Sequence, residues 1–149
     1  MQKNRGFYFK ILFASFVLLL FSSCSTMQSI DISKRSRKFN ADYLSTFKAI
    51  AGYCNDRGFA ITMADKDLGL LNTDYKENDG TAKFFFGNYR SKLNFSMKKI
   101  SENETQVIVN ASAEKQGAFG SWAQTTMTED QAIELFNKIF TGIQSQLDK

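Results

Sequence analysis

The sequence predicts an α+β domain in which two helices pack on one face of an antiparallel sheet of four to five strands. In two segments, residues 40–57 and 128–147, apolar residues recur every three to four positions, as in amphipathic helices. Between these segments, apolar and polar residues alternate with the period of two that is typical of half-buried strands. The turns between the strands are too short for the crossovers that parallel strands need, which indicates antiparallel pairing.

The first helix is expected to begin after a cap at Asn40 and to end at Gly58, because glycine adopts the left-handed conformation of helix ends without strain. Its buried face is expected to consist of four residues at helical spacing: Leu44, Phe47, Ala51 and Cys54. Free cysteine is among the most buried residue types, so we interpret Cys54 as an inert core residue. The alternatives for Cys54 are a reactive thiol and an intermolecular disulfide partner.

Four segments show the alternation of strands: residues 59–63, 69–75, 92–100 and 105–113, and the apolar run TAKFFFGNY leads into the third. The sequences ADKD, KENDG and SENE separate them and are rich in the residues that favour turns. A short extra strand is expected near residues 29–33, before the first helix. These segments predict a meander in which consecutive strands are neighbours.

The last helix begins at TEDQ, residues 128–131, which forms a capping box that satisfies two free backbone donors. The apolar stripe of this helix consists of Ala132, Phe136, Ile139, Ile143 and Leu147, with Ile133 and Phe140 beside them. An antiparallel sheet with one apolar face has to be covered, so we expect this stripe to pack on the sheet. A membrane or partner surface is the less favoured use of the stripe.

The first 23 residues have the pattern of a secretory signal peptide, in which basic residues precede an apolar run from Ile11 to Phe21 that is too short to span a bilayer. The end of this run, LFSSC, resembles the lipobox of bacterial lipoproteins, in which a cysteine is acylated and becomes the mature N-terminus. The resemblance implies that Cys24 carries acyl chains such as palmitate, and two chains are sufficient for stable membrane attachment. The alternative is an ordinary signal peptide that leaves Cys24 as a free thiol.

The lipobox resemblance also implies a cellular location. Ser25 follows the cysteine, and lipoproteins without an aspartate at that position commonly reach the outer membrane, where this chain would face the periplasm. Residues 24–38 are then a tether, and residues 39–149 form one folded domain. Within the tether, the basic segment at residues 33–38 is expected either to lie against anionic headgroups or to be a solvated linker.

Charge and composition exclude several functions. Removal of Lys3, Arg5 and Lys10 with the signal lowers the formal net charge from +4 to +1, which takes away the electrostatic argument for nucleic-acid binding. The sequence contains no histidine, the commonest general base and metal ligand near neutral pH. The acidic turn residues do not follow the order of a calcium loop; they are Asp65, Asp67, Asp74, Glu77 and Asp79. We therefore expect no enzyme activity, no metal and no cofactor.

Three aromatic residues are candidates for binding. Phe119 and Trp122 lie in a long connection before the last helix, and large aromatic residues in loops are typical interface anchors. The alternative is that both fold back and plug one end of the sheet. Phe85 is the middle residue of three successive phenylalanines, and it must face away from its two neighbours if this segment is a strand.

The order of elements resembles a known family. A first helix ending in NDRGFAITMADKDLGLLNT, a meander and the closing helix AIELFNKIFTGIQSQL are similar to the helix-grip domains of bacterial envelope lipoproteins such as BamC. The resemblance covers about residues 39–147 and implies a non-enzymatic lipoprotein that binds another envelope protein. The alternative is a carrier or sensor of an apolar ligand between the sheet and the last helix. Such a cavity would leave Phe95, Phe136 and Phe140 incompletely packed, whereas a solid core would leave the loop and the sheet edge as working surfaces.

Overall fold

A computed structural model describes residues 30–78 and 87–149. In chain order the elements are β1 (Ser36–Phe39), α1 (Tyr43–Asp56), β2 (Ile61–Asp65), β3 (Leu70–Thr73), β4 (Lys76–Glu77), β5 (Tyr89–Ser101), β6 (Glu104–Gln116), β7 (Trp122–Gln124) and α2 (Glu129–Leu147). A single 3-10 turn, Ala118–Gly120, lies between β6 and β7. The candidate residues Cys24 and Phe85 lie outside the described residues, as does the predicted signal peptide.

The strands form one antiparallel sheet with the order β1-β6-β5-β3-β2. The short strands β4 and β7 extend it by pairing with β5 and β6, respectively. The long hairpin of β5 and β6 forms the centre of the sheet, with Phe95 opposite Val109. The predicted α+β class, with an antiparallel five-stranded sheet and two helices that pack together, is confirmed.

The core lies between the helices and the inner face of the sheet, the face whose residues the helices bury. Alternate residues of the central hairpin are buried there: Leu93, Phe95, Val107 and Val109. The helices contribute Ile50, Tyr53, Cys54, Phe136, Ile139, Phe140 and Ile143 to the same cluster. Residues of the opposite, outer face are polar or partly exposed, so the sheet has the one-sided burial that its sequence pattern predicts.

Helix α1 begins two residues later than predicted, and its buried face overlaps the predicted one only in part: Cys54 is buried, and Phe47 and Ala51 are partly buried against the core. Its N-cap is Asp42, whose carboxylate accepts a hydrogen bond of 2.9 Å from the Ser45 backbone amide. Leu44, predicted to be buried, is 49 % exposed. The buried positions are Thr46, Ala49, Ile50, Tyr53 and Cys54. This face differs from the predicted one because α1 packs on both the sheet and α2, where Gly142 leaves room for the Tyr53 ring.

Helix α2 follows its predicted pattern. Thr128 caps it, and a reciprocal pair of hydrogen bonds with Gln131 forms the capping box. The predicted apolar residues Ala132, Phe136, Ile139, Phe140 and Ile143 are buried. This helix has the strongest sequence signal because both its cap and its stripe are local in the chain.

The folded structure begins within the segment assigned to the tether. The strand expected near residues 29–33 lies instead at β1, where residues 36–39 pair with residues 105–108 of β6. Burial of Phe39 explains this register, because its ring packs against Phe140 and is almost inaccessible to solvent. The domain boundary at residue 39 is therefore too late, and residues 36–38 belong to the sheet.

The basic residues at 34–38 contact the domain. Arg37 donates a hydrogen bond of 2.8 Å to the Asn137 side chain, and its guanidinium lies 4.8 Å from the centroid of the Phe140 ring. Lys34 forms an ion pair with Glu129, and Lys38 forms one with Glu104. These contacts show that part of this segment is integrated into the fold, rather than being a free linker.

Cys54 is buried in α1 against the core, and this burial raises the pKa of its thiol to about 12. Because the thiolate is the reactive species, a soluble thiol reagent is expected to label native Cys54 very slowly. A Cys24→Ala chain, which has Cys54 as its only thiol, isolates this reaction. Mass spectrometry should show little labelling in buffer and complete labelling in denaturant. Rapid labelling of the folded chain would contradict the buried position.

Candidate functional site

The outer face of the sheet carries one aromatic and charged cluster, which we call the arginine cluster: Tyr75, Arg90, Glu114 and Trp122. Strand register builds it, because Arg90 in β5 lies directly opposite Glu114 in β6. Tyr75 precedes β4, and Trp122 begins β7. Short pairing strands thus bring an aromatic ring to each side of the arginine.

Arg90 lies between two rings. Its guanidinium carbon is 4.4 Å from the centroid of Tyr75 and 4.5 Å from that of Trp122, within the range of cation–π attraction. The Arg90 Nε donates a hydrogen bond of 2.7 Å to Glu114 Oε2, and the Tyr75 hydroxyl donates one of 2.7 Å to Oε1. Both carboxylate oxygens are therefore satisfied. The cluster holds Trp122, and with it the base of the β6–β7 connection, against the sheet.

The same contacts shift two pKa values. The hydrogen bond from Tyr75, followed by the one from Arg90, lowers the pKa of Glu114, because both stabilise the ionised carboxylate. The bond to Glu114 raises the pKa of Tyr75, since the phenol must stay protonated to donate it. Near neutral pH the cluster therefore contains an ionised Glu114 and a neutral Tyr75.

The lowered pKa of Glu114 predicts a pH dependence of stability. The contribution is fully present above the ordinary glutamate pKa of 4.5 and is lost as the pH falls through the lower pKa of the folded state. Replacing Glu114 by Gln should therefore lower the melting temperature at pH 7, and the difference from the parent chain should shrink on acidification below about pH 4.5. Glu102→Gln, in an exposed turn, is the control. A difference that stays constant from pH 7 to pH 3 would contradict this assignment.

The connection between β6 and β7 projects Phe119 away from the domain. We call residues 114–124 the tip hairpin, because Gln116 and Trp122 pair at its base and Gly117 donates a hydrogen bond of 2.8 Å to the Ser121 carbonyl. Phe119 lies at the end of this hairpin with an exposure of 107 %. Its φ of 65° is left-handed, a conformation that costs a residue with a side chain roughly 1–2 kcal/mol.

The two aromatic candidates in the loop, Phe119 and Trp122, lie in different environments. Phe119 plugs no part of the sheet, so the plug interpretation is wrong for this residue; the turn geometry directs its ring outward. Trp122 is partly buried on the outer face against Arg90, away from the helix-covered core. Sequence patterns did not identify Tyr75, Arg90 and Glu114, because they are far apart in the chain and only strand register brings them together.

The centre of the core is solid. Phe95, Phe136 and Phe140, the residues chosen to detect a ligand cavity, are at most 3 % exposed. In the two described ranges, no group of three acidic, cysteine or histidine residues is placed to hold a metal ion. Within the same part of the chain, no helix has the length and apolar character to cross a membrane.

Comparison with known proteins gives likeness of fold only. No protein-family model matches the chain. No curated protein matches its sequence. The adenylate sensor of AMP-activated protein kinase, in complex with 5-aminoimidazole-4-carboxamide ribofuranotide, is 9 % identical, with a TM-score of 0.49 over 73 % of this chain and 94 % of that one.

Two bacterial structures are also similar to the chain. A DUF4468 family protein from Bacteroides ovatus has a TM-score of 0.44 and 8 % identity, over 80 % of this chain and 90 % of its own. A TBP-like protein from Parabacteroides distasonis has a TM-score of 0.42 and 12 % identity, over 73 % of this chain and 90 % of its own. None of these likenesses carries an inference about ligands or partners.

Proposed function

We propose that this protein is a lipid-anchored, non-enzymatic accessory of the bacterial outer membrane that faces the periplasm and binds another envelope protein through the tip hairpin. The observation that carries the proposal is the position of Phe119. A fully exposed phenylalanine in a left-handed conformation has no packing in the described domain that offsets its exposure or its strain. Backbone strain of this kind concentrates at functional sites, and aromatic anchors dominate many protein interfaces.

The base of the tip hairpin supports this role because it is held in place. Three cross-strand pairs join β7 to β6, and Trp122 packs on Arg90, which Glu114 orients in turn. A rigid base reduces the conformational entropy that Phe119 would lose on docking. Uncharged residues also surround the tip, since none of residues 116–128 is ionisable. This composition suits a partner with an apolar pocket.

The anchor rests on the lipobox resemblance of the sequence around Cys24. The Arg35 carbonyl is bound to the sheet, accepting a hydrogen bond of 2.9 Å from the Val109 amide. Ile30 packs against the core and Lys34 forms an ion pair with Glu129, so the domain already begins near residue 30. Even a fully extended chain of ten residues, from 25 to 34, would reach at most about 36 Å. A tether of this length keeps the domain and its hairpin close to the membrane surface, where an envelope partner would be met.

Replacing Cys24 by Ala is expected to abolish membrane attachment. Residues 30–78 and 87–149 contain no helix long and apolar enough to cross a bilayer, so without acyl chains the protein should move to the soluble envelope fraction or be mislocalised. Fractionation measures the shift, and mass spectrometry of the mature N-terminus of the parent chain measures the lipid. Cys54→Ala is the matched control and should leave attachment unchanged. An unacylated N-terminus in the parent chain would contradict the anchor.

A further inference from the structure

A cavity of about 300 Å³ lies between the inner face of the sheet and the first half of α2. It is present because the inner face changes in side-chain size along the central hairpin. Phe95, Val107 and Val109 fill the middle, whereas Ser91, Ala111 and Ala113 form the floor toward the other end. Met127, Leu135 and Ile139 form the opposite wall. The buried core residues Tyr53, Leu93 and Ile139 also line this space, whereas Phe95, Phe136 and Phe140 do not, and it shares no residue with the tip hairpin.

The rim of this cavity is cationic. Arg57 and Lys76 line it, and no Asp or Glu is among its lining residues. Each cation also lies near an aromatic wall: the Lys76 ammonium is 5.8 Å from the Phe59 centroid, and the Arg57 guanidinium is 5.7 Å from that of Tyr53. The Lys76 ammonium donates a hydrogen bond of 2.6 Å to the Arg57 carbonyl, which fixes it beside the opening.

We infer that this cavity binds a small amphiphilic carboxylate, such as a medium-chain fatty acid. The apolar floor and wall would take the alkyl chain, and Lys76 and Arg57 would pair with the carboxylate at the rim. Ligand cavities range from about 300 to 1,000 Å³, so a volume at the lower limit suits a medium chain rather than a long one. Because Phe95, Phe136 and Phe140 are packed and do not line the cavity, a ligand between the sheet and the last helix would occupy this end of the sheet and not its centre. This inference goes beyond the proposed function and is independent of it, because the cavity shares no residue with the tip hairpin.

The test uses the full chain in the membranes of cells that produce it, with a photoreactive, alkyne-tagged decanoate as the probe. Peptide mapping is expected to place the adduct among the cavity residues, around 111–113 or 127–139. Ala113→Phe, which fills the floor, should reduce labelling at least tenfold. Ser96→Phe adds the same ring to the outer face and should leave labelling unchanged. Melting temperatures of both variants establish that they are folded.

The rim is tested separately, with a variant that does not alter the core. Lys76→Gln should reduce labelling by the decanoate probe about tenfold and leave labelling by the matching decanol probe unchanged. Adducts outside the cavity, or full labelling of folded Ala113→Phe, would contradict the assignment of the cavity as the binding site. If Lys76→Gln reduced labelling by the decanoate and decanol probes equally, the proposed pairing of the carboxylate with Lys76 would be wrong. Phe119→Asn should label like the parent chain, so failure of the partner proposal would leave this result intact.

Discussion

Replacing Phe95 by Ala is expected to lower the free energy of unfolding by about 3 to 5 kcal/mol, the usual range for truncating a buried phenylalanine. Phe95 is 1 % exposed and lies at the centre of the sheet, opposite Leu71 on one side and Val109 on the other. Its removal would leave a cavity that the rigid hairpin of β5 and β6 cannot close. Small domains are stable by only about 5 to 15 kcal/mol, so a large share of the stability would be lost.

Urea unfolding of the parent chain and of the Phe95→Ala chain measures the difference in their free energies of unfolding directly. Phe119→Ala is the matched control, because it removes the same atoms from a fully exposed position. We expect this control to change the free energy of unfolding by less than about 0.5 kcal/mol. If the two truncations had similar effects, the assignment of core and surface to these two phenylalanines would be wrong.

Replacing Phe119 by Asn is expected to abolish partner binding while leaving stability unchanged or raising it by up to about 1 kcal/mol. Asparagine tolerates the left-handed conformation that Phe119 adopts at φ 65°, so the substitution relieves strain and removes the exposed ring together. An interface anchor of this kind contributes about 2 kcal/mol or more, which corresponds to at least a 30-fold loss of affinity. Few substitutions would combine lost binding with preserved or increased stability.

Two further variants test whether binding requires an aromatic ring at the tip, or only an exposed apolar side chain. Phe119→Tyr keeps an aromatic side chain at the tip and should retain most of the binding. Leu68→Ala removes a different side chain, 70 % exposed in the turn between β2 and β3, and should have no effect. Co-purification from solubilised envelopes measures binding, and thermal unfolding measures stability. Loss of stability in Phe119→Asn would indicate that the ring packs within the domain, contrary to its position here.

The features that the sequence predicted well are those that depend on local patterns. The cap and stripe of α2 and the end of α1 at Gly58 require only residues close in the chain. Features that depend on distant partners were missed or misplaced. Leu44 has helical spacing but faces solvent, because the contact with α2 decides which face of α1 is buried. Strand β1 was placed too early, since only its pairing with β6 and the burial of Phe39 fix its position.

In the candidate site, too, features that depend on nearby residues were predictable and features that depend on distant residues were not. Its two loop aromatics were visible as large apolar residues among small polar ones, but their opposite environments follow from hairpin geometry that no periodicity encodes. The arginine cluster depends on the register of β5 against β6, and a shift of one residue would move Arg90 to the other face. Strand register is a property of the whole sheet, so the pairing of Arg90 with Glu114 could not be inferred from either strand alone.

Photo-crosslinking from position 119 in intact cells tests the docking role of the tip hairpin most directly. A photoreactive phenylalanine analogue at position 119 keeps the aromatic ring at the site, and the same analogue at position 68 is an exposed control on a different turn. The docking role predicts one defined adduct with an envelope protein from position 119 and none from position 68. No adduct from position 119, or the same adducts from both positions, would contradict it.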